Sequence, residues 1–191
     1  MPNWCLTNYV FEGEKEEIQD LYNKLISLEE MKEPLAKSDF GKRWLGCVVT
    51  LFGGNRKEIK CRGYFAELEK TSDITISFYT ETAWVDMPEV WELVLSHYEN
   101  IKCYFYAEEP GNAYYATNDA ERKYFSTRFI VEQSEEDTEY YDDEPDLFSN
   151  IASRTGENVM NREEMNKVLE RYNEAHSDNE IFVNEYSVIM D

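Results

Sequence analysis

The sequence predicts an α+β protein in which helices cover one face of an antiparallel sheet, with an acidic extension at the C-terminal end. Two helical apolar stripes lie among strand-like runs: Ile18, Leu21, Tyr22 and Leu25 form one, and Val90, Trp91, Val94, Leu95 and Tyr98 form the other. Hydrophobic residues make up 42% of the 191 and aromatics 15%, enough to pack a core. The charge is uneven. From Glu132 to Asp191 there are 18 acidic and 4 basic residues, a net of −14 out of −21 for the whole chain.

Polar and apolar side chains alternate from Cys5 to Phe11, as in a strand, and Gly13 marks a turn. The first helix follows over EKEEIQDLYNKLISLEEM, its acidic first turn favoured by the helix dipole, and it stops at Pro34. WLGCVVTLFGG is short and apolar, so periodicity leaves a buried strand and a packed loop equally open. KCRGYFAELEK and DITISFYTETAW read as a hairpin turning at Thr71 and Ser72, with Ile74, Ile76 and Phe78 on one face. Pro88 then opens the second helix. KCYFYAEE is a strand, Pro110 and Gly111 turn the chain, and NAYYATND returns beside it. YFSTRFIVEQ is a further strand. The order βαββαβ with added strands is that of a ferredoxin-like sandwich, expected over residues 1–131. The segment from Leu35 to Asn55 is an insert that this plan does not explain.

The extension, residues 132–191, is expected to pack on the same domain. Nine acidic and no basic residues between Glu132 and Asp146 predict a solvated linker or acidic loop. Asn161 with Glu164 then forms a near capping box ahead of a helix facing inward through Met165, Val168, Leu169 and Tyr172, and EIFVNEYSVI reads as a final strand. Such a charge disfavours direct binding to nucleic acid or an anionic membrane. It is compatible with simple solubility or with a basic partner, host- or element-encoded, for which Glu135, Glu136, Asp137, Asp142, Asp143 and Glu144 are the candidate contact residues. No apolar run is long enough to span a bilayer, and Met1 to Gly13 lacks a signal-peptide pattern, so a cytoplasmic location is the default expectation.

Catalytic signals are weak. Cys5, Cys47, Cys61 and Cys103 are widely spaced, without a CxxC half-site, and read as small buried side chains. His97 and His176 lack partners at metal-ligand spacing, and Gly53-Gly54 matches no phosphate-binding loop. The acidic run lacks the glycine-containing pattern of a calcium loop. Hence no catalytic residue, metal or cofactor is expected. A pocket around Trp4, Trp84, Trp91 and the strand Cys103 to Tyr106, with Cys5 or Glu108 at its edge, is the candidate ligand site.

The opening MPNWC, with Asn8 three residues after Cys5 and a strand, glycine and helix behind it, resembles the start of uncharacterised phage, plasmid and conjugative-element proteins that begin MPNWC. The stretch SFYTETAWVDMPEVWELVLSHYENIKCYFYAEEPGNAYY is similar to that family's later region in its Thr-x-x-Ala-Trp turn, proline-started helix and aromatic strand ending in Glu-x-Gly. Val85-Asp86-Met87-Pro88 departs from a Ser-Pro-Pro type of turn, and the acidic extension is a further departure. The resemblance implies a ferredoxin-like domain and a mobile-element origin, and it supplies no catalytic residue. The resulting expectation is a non-enzymatic accessory protein acting by protein binding through its acidic surface, with mimicry of DNA phosphates as a narrower version. The alternative is a small-ligand-binding protein or enzyme with an aromatic-lined pocket.

Overall fold

The computed structural model describes residues 3–133 and 137–189. The protein is α+β and divides into two compact units, Met1–Ala120 with Ile189–Asp191 and Glu121–Val188. The expected change of character lay at 131/132. The division falls earlier because the strand Phe129–Gln133 pairs with Glu139–Tyr141 and Ile181–Glu185, all within the second unit. Among the described residues, no helix is long and apolar enough to cross a membrane.

In the first unit the elements are β1 (Trp4–Glu12), α1 (Lys15–Glu30), α2 (Leu45–Leu51), β2 (Gly63–Ser72), β3 (Thr75–Ala83), α3 (Pro88–Leu95), β4 (Lys102–Glu109) and β5 (Tyr114–Thr117). The strands lie in the order β2-β3-β1-β4-β5, each antiparallel to its neighbour. β1 is therefore paired on both sides, which ties down a segment near the chain start. Alternation along it sends Cys5, Thr7, Tyr9 and Phe11 to the buried face, where Phe65, Ile76 and Phe78 join them. Ile18, Leu21, Leu25 and Leu28 of α1, Val48 and Val49 of α2, and Val90, Trp91 and Val94 of α3 close over the aromatic residues of this face as one core. Each such apolar side chain, fully buried, stabilises the fold by about 1.5–3 kcal/mol.

Two local expectations change. WLGCVVTLFGG is neither strand nor loop: it holds helix α2, with Leu45, Gly46, Cys47, Val48 and Val49 all buried. A helix covered on all sides has no polar face, so its period is invisible in the sequence. The hairpin turns at Asp73 and Ile74, leaving Ile74 exposed while Ile76 and Phe78 point inward.

The second unit is built from β6 (Phe129–Gln133), β7 (Glu139–Tyr141), α4 (Glu144–Thr155), α5 (Arg162–Ala175) and β8 (Ile181–Glu185), with the sheet order β7-β6-β8. Its core joins Phe129, Val131, Leu147, Ile151, Val168 and Ile181. The extension thus carries two helices where one was expected. Asp143, inside the acidic run, caps α4 by accepting the Asp146 N–H at 3.1 Å, and Gly156 ends the helix with φ +73°. The Asn161 side chain accepts the Glu164 N–H at 3.0 Å, as the capping signal predicts, while the Glu164 carboxylate takes the N–H of Met160, one residue ahead of the cap, at 2.9 Å.

Candidate functional site

The candidate residues near the chain start divide between the two faces of β1. Leu6 is paired with Glu108, so Glu108 lies on the face opposite Cys5. Its neighbour Glu109 lies on the buried side, 1% exposed, and its carboxylate accepts the Gly111 N–H and the Asn112 amide. Cys5 is enclosed by Thr7 and Thr82, with its Sγ 3.6 Å from the Thr7 hydroxyl. Burial, with Asp86 and Glu109 adding to it against the Thr7 hydrogen bond, pushes the thiol up to about 11. Cys5 is therefore a neutral packing residue at physiological pH, not a nucleophile.

Trp4 is exposed and meets Phe40 edge-on, ring centroids 6.0 Å apart. Trp84 is also exposed, its backbone held at φ +76° by an N–H bond to the Asn3 carbonyl. Neither tryptophan lines the cavity that Trp91 and the strand Cys103 to Phe105 do form. That cavity, about 700 Å³, opens between α3 and β4 and is bounded by Tyr9, Asp86, Trp91, Cys103 and Phe105 among others. Its volume is in the range of small-molecule sites.

Packing explains the walls. Trp91 sits among Tyr9, Phe11 and Phe78, with ring centroids 5.4, 5.6 and 4.7 Å away. Asn118 acts as a clamp along β4: its carbonyl oxygen accepts the Phe105 N–H at 2.8 Å and its amide donates to the Cys103 carbonyl at 2.8 Å. The polar groups of the wall are less complete. Tyr9 and Trp91 are each 2% exposed; the Tyr9 hydroxyl and the Trp91 indole N–H lie near each other, yet neither makes a hydrogen bond of good geometry to any group. A buried polar group left so costs about 1–3 kcal/mol.

Asp86 is the cavity's buried acid. Its carboxylate accepts the Tyr114 hydroxyl at 2.6 Å, yet burial outweighs that bond and raises the pKa above the ordinary carboxylate value. A carboxyl whose pKa rises on folding favours the folded state only while protonated. Ionised Asp86 thus opposes folding at neutral pH. Asp86→Asn keeps an oxygen for Tyr114 and removes the charge. Urea unfolding should find the variant more stable than the parent at pH 7, with the difference vanishing below about pH 3.8, the unfolded-state value. Equal stability at pH 7 would refute this account.

Glu135 and Glu136 lie outside the described residues. Of the other candidate acidic contacts, Asp137 and Asp142 are exposed, whereas Asp143 caps α4 and Glu144 is bonded to Arg162. Arg162 also holds Glu185 and lies over the Phe129 ring, 5.3 Å from its centroid. Glu139 accepts the Tyr141 hydroxyl and binds Arg154, and these bonds lower its pKa, with Tyr141 contributing most. Much of the acidic run is thus engaged in holding its own unit. The sequence carried the signal for this in Asp143 and Gly156 bracketing Leu147, Phe148 and Ile151. Among the described residues no group of three or more His, Cys, Asp or Glu side chains is placed to hold a metal ion. His97 faces the Phe52 carbonyl at 3.2 Å, and His176 stacks on Tyr172.

Comparison with protein-family models, curated proteins and solved structures gave no match.

Proposed function

We propose that this is a non-enzymatic binding protein that takes up a small, flat, mostly apolar molecule in the α3–β4 cavity of a ferredoxin-like first unit. The strand order β2-β3-β1-β4 and the element order βαββαβ, with α2 as an insertion after α1, support that plan. The observation carrying the ligand reading is the pair of buried polar atoms in an aromatic wall, the Tyr9 hydroxyl and the Trp91 N–H, which have only a poorly formed contact with each other. Folding leaves them desolvated and poorly satisfied by each other, and a ligand acceptor that enters the wall between them would give each a better bond. Asp86 supplies an acceptor for a ligand donor on the same wall.

The experiment compares the parent with Tyr9→Phe, using 2-quinolinone as a flat probe with both donor and acceptor and naphthalene as a control with neither. In the parent, 2-quinolinone raises the melting temperature and naphthalene has a smaller effect. Without ligand, Tyr9→Phe is more stable by about 1–3 kcal/mol, because an unsatisfied hydroxyl is gone. With 2-quinolinone it loses most of the rise. A destabilised Tyr9→Phe, or equal shifts by the two probes, would overturn the reading.

A second reading is an accessory protein of a mobile element that docks a basic host- or element-encoded partner. The MPNWC opening supports the origin, and the exposed Asp137, with Asp142 and Asp146 in a cleft beside Tyr140, supports the contact. DNA mimicry is its narrower form, and it has fewer free carboxylates than the composition alone suggests. A complex with a basic protein that survives 0.5 M salt, or no complex at low salt, would refute it.

A further inference from the structure

The insert between α1 and β2 reverses the sign of the chain. Residues 32–62 contain eight Lys and Arg against three Asp and Glu, in a protein of net charge −21. Four of these cations, Arg56, Lys57, Lys60 and Arg62, line a cleft of about 340 Å³ together with Phe40 and Trp44. All four are exposed, and none is in an ion pair among the described residues. Elsewhere in the first unit carboxylates find cations, as in Lys15–Asp73, Lys24–Asp20 and Arg43–Glu29. With 40 acidic residues available, four adjacent cations without a carboxylate partner are an arrangement in need of a counter-charge. Glu58, the acidic residue of the cleft, accepts the Asn55 amide at 2.6 Å.

The aromatic side of the cleft is built rather than incidental. The Trp44 indole N–H donates to the Cys61 carbonyl at 2.7 Å, and the Arg56 guanidinium is held over the Trp44 ring, 5.5 Å from its centroid. Phe40 stacks on Tyr64 at 6.0 Å and meets Trp4 in a T-shaped contact. A guanidinium placed on an indole presents a planar, cationic surface that can both stack on a flat ring and donate to phosphate oxygens.

We propose that this cleft binds a free nucleotide, its phosphate among Arg56, Lys60 and Arg62 and its base against Arg56 and Phe40. The cleft volume is that of one such unit rather than of a strand. The field of a strongly acidic chain further opposes a polyanion while tolerating a small anion that sits against local cations.

Calorimetric titration with adenosine monophosphate, inorganic phosphate and a hexathymidylate strand provides the test. Adenosine monophosphate should bind saturably, at least about tenfold more tightly than phosphate, and more weakly as salt is raised. The doubly substituted Arg56→Glu/Arg62→Glu protein should lose about tenfold or more in affinity, while Lys102→Glu, at the α3–β4 cavity, should not. All three positions are exposed, and circular dichroism verifies folding. Absence of saturable binding, phosphate binding as tightly as the nucleotide, preference for the strand, or an unchanged affinity in the double variant would each overturn the proposal.

Discussion

Gly63→Ala is expected to destabilise the protein by about 3 kcal/mol or more, although it adds a single methyl group to an edge strand. A Cβ on Gly63 would stand 2.2 Å from the Glu81 carbonyl oxygen and 2.8 Å from the Thr82 Cα. Both are backbone atoms of β3, so no side chain can rotate away. Relief requires β2 to separate from β3 where Gly63 pairs with Thr82, and the Ala83 N–H bond to Arg62 O lies alongside. At a urea slope of about 2 kcal/mol/M the midpoint should fall by about 1.5 M. Gly53→Ala is the control. Gly53 has φ +73° with nothing within 4 Å, so alanine there incurs only the left-handed backbone cost, about 1–2 kcal/mol. Equal effects at the two sites would show that strand approach is not what requires glycine at 63.

The same strand contact shows what the sequence made legible. Alternation from Cys5 to Phe11 and the stripes of α1 and α3 were readable because each element has one wet face and one dry one, and burial imposes their periods. α2 was not, since a helix buried on all sides carries no period. α4 was hidden differently. Its charges suggest repulsion and solvation, whereas Asp143 serves as a cap and Glu139 and Glu144 bind arginines brought close only by folding.

The site was legible in part. Trp91 and the strand from Cys103 to Phe105 do wall a cavity, but the polar groups that give it chemistry, Tyr9 and Asp86, carry no site signal in the sequence. Tyr9 sits in an alternating strand and looks like core. Only three-dimensional placement shows that its hydroxyl has no hydrogen bond of good geometry. Glu108 illustrates the limit of strand reasoning: its neighbour Glu109 reaches the buried face and Glu108 does not, a difference of one residue that fixes the side of the sheet. The MPNWC opening raises the same issue of face, and pairing of β1 on both sides favours anchoring over reactivity for Cys5.

Trp91→Ala should lower stability by about 3–5 kcal/mol, and its comparison with Trp91→Phe separates the two roles of this side chain. Trp91 is 2% exposed and touches Tyr9, Phe11 and Phe78, so truncation removes a large part of the aromatic core and leaves a void beside an existing cavity. Surrounding strands paired on both sides cannot collapse into it. Phenylalanine retains most of these ring contacts and deletes the poorly bonded N–H, removing a desolvated donor as well as some volume. Its net cost should be no more than about 1.5 kcal/mol. If the N–H serves a ligand, Trp91→Phe should still melt near the parent temperature while the shift with 2-quinolinone shrinks. If instead the residue only fills space, Trp91→Phe should retain the shift in full. A Trp91→Phe protein that is as unstable as Trp91→Ala would mean that the indole's shape, not its donor, holds α3 against the sheet.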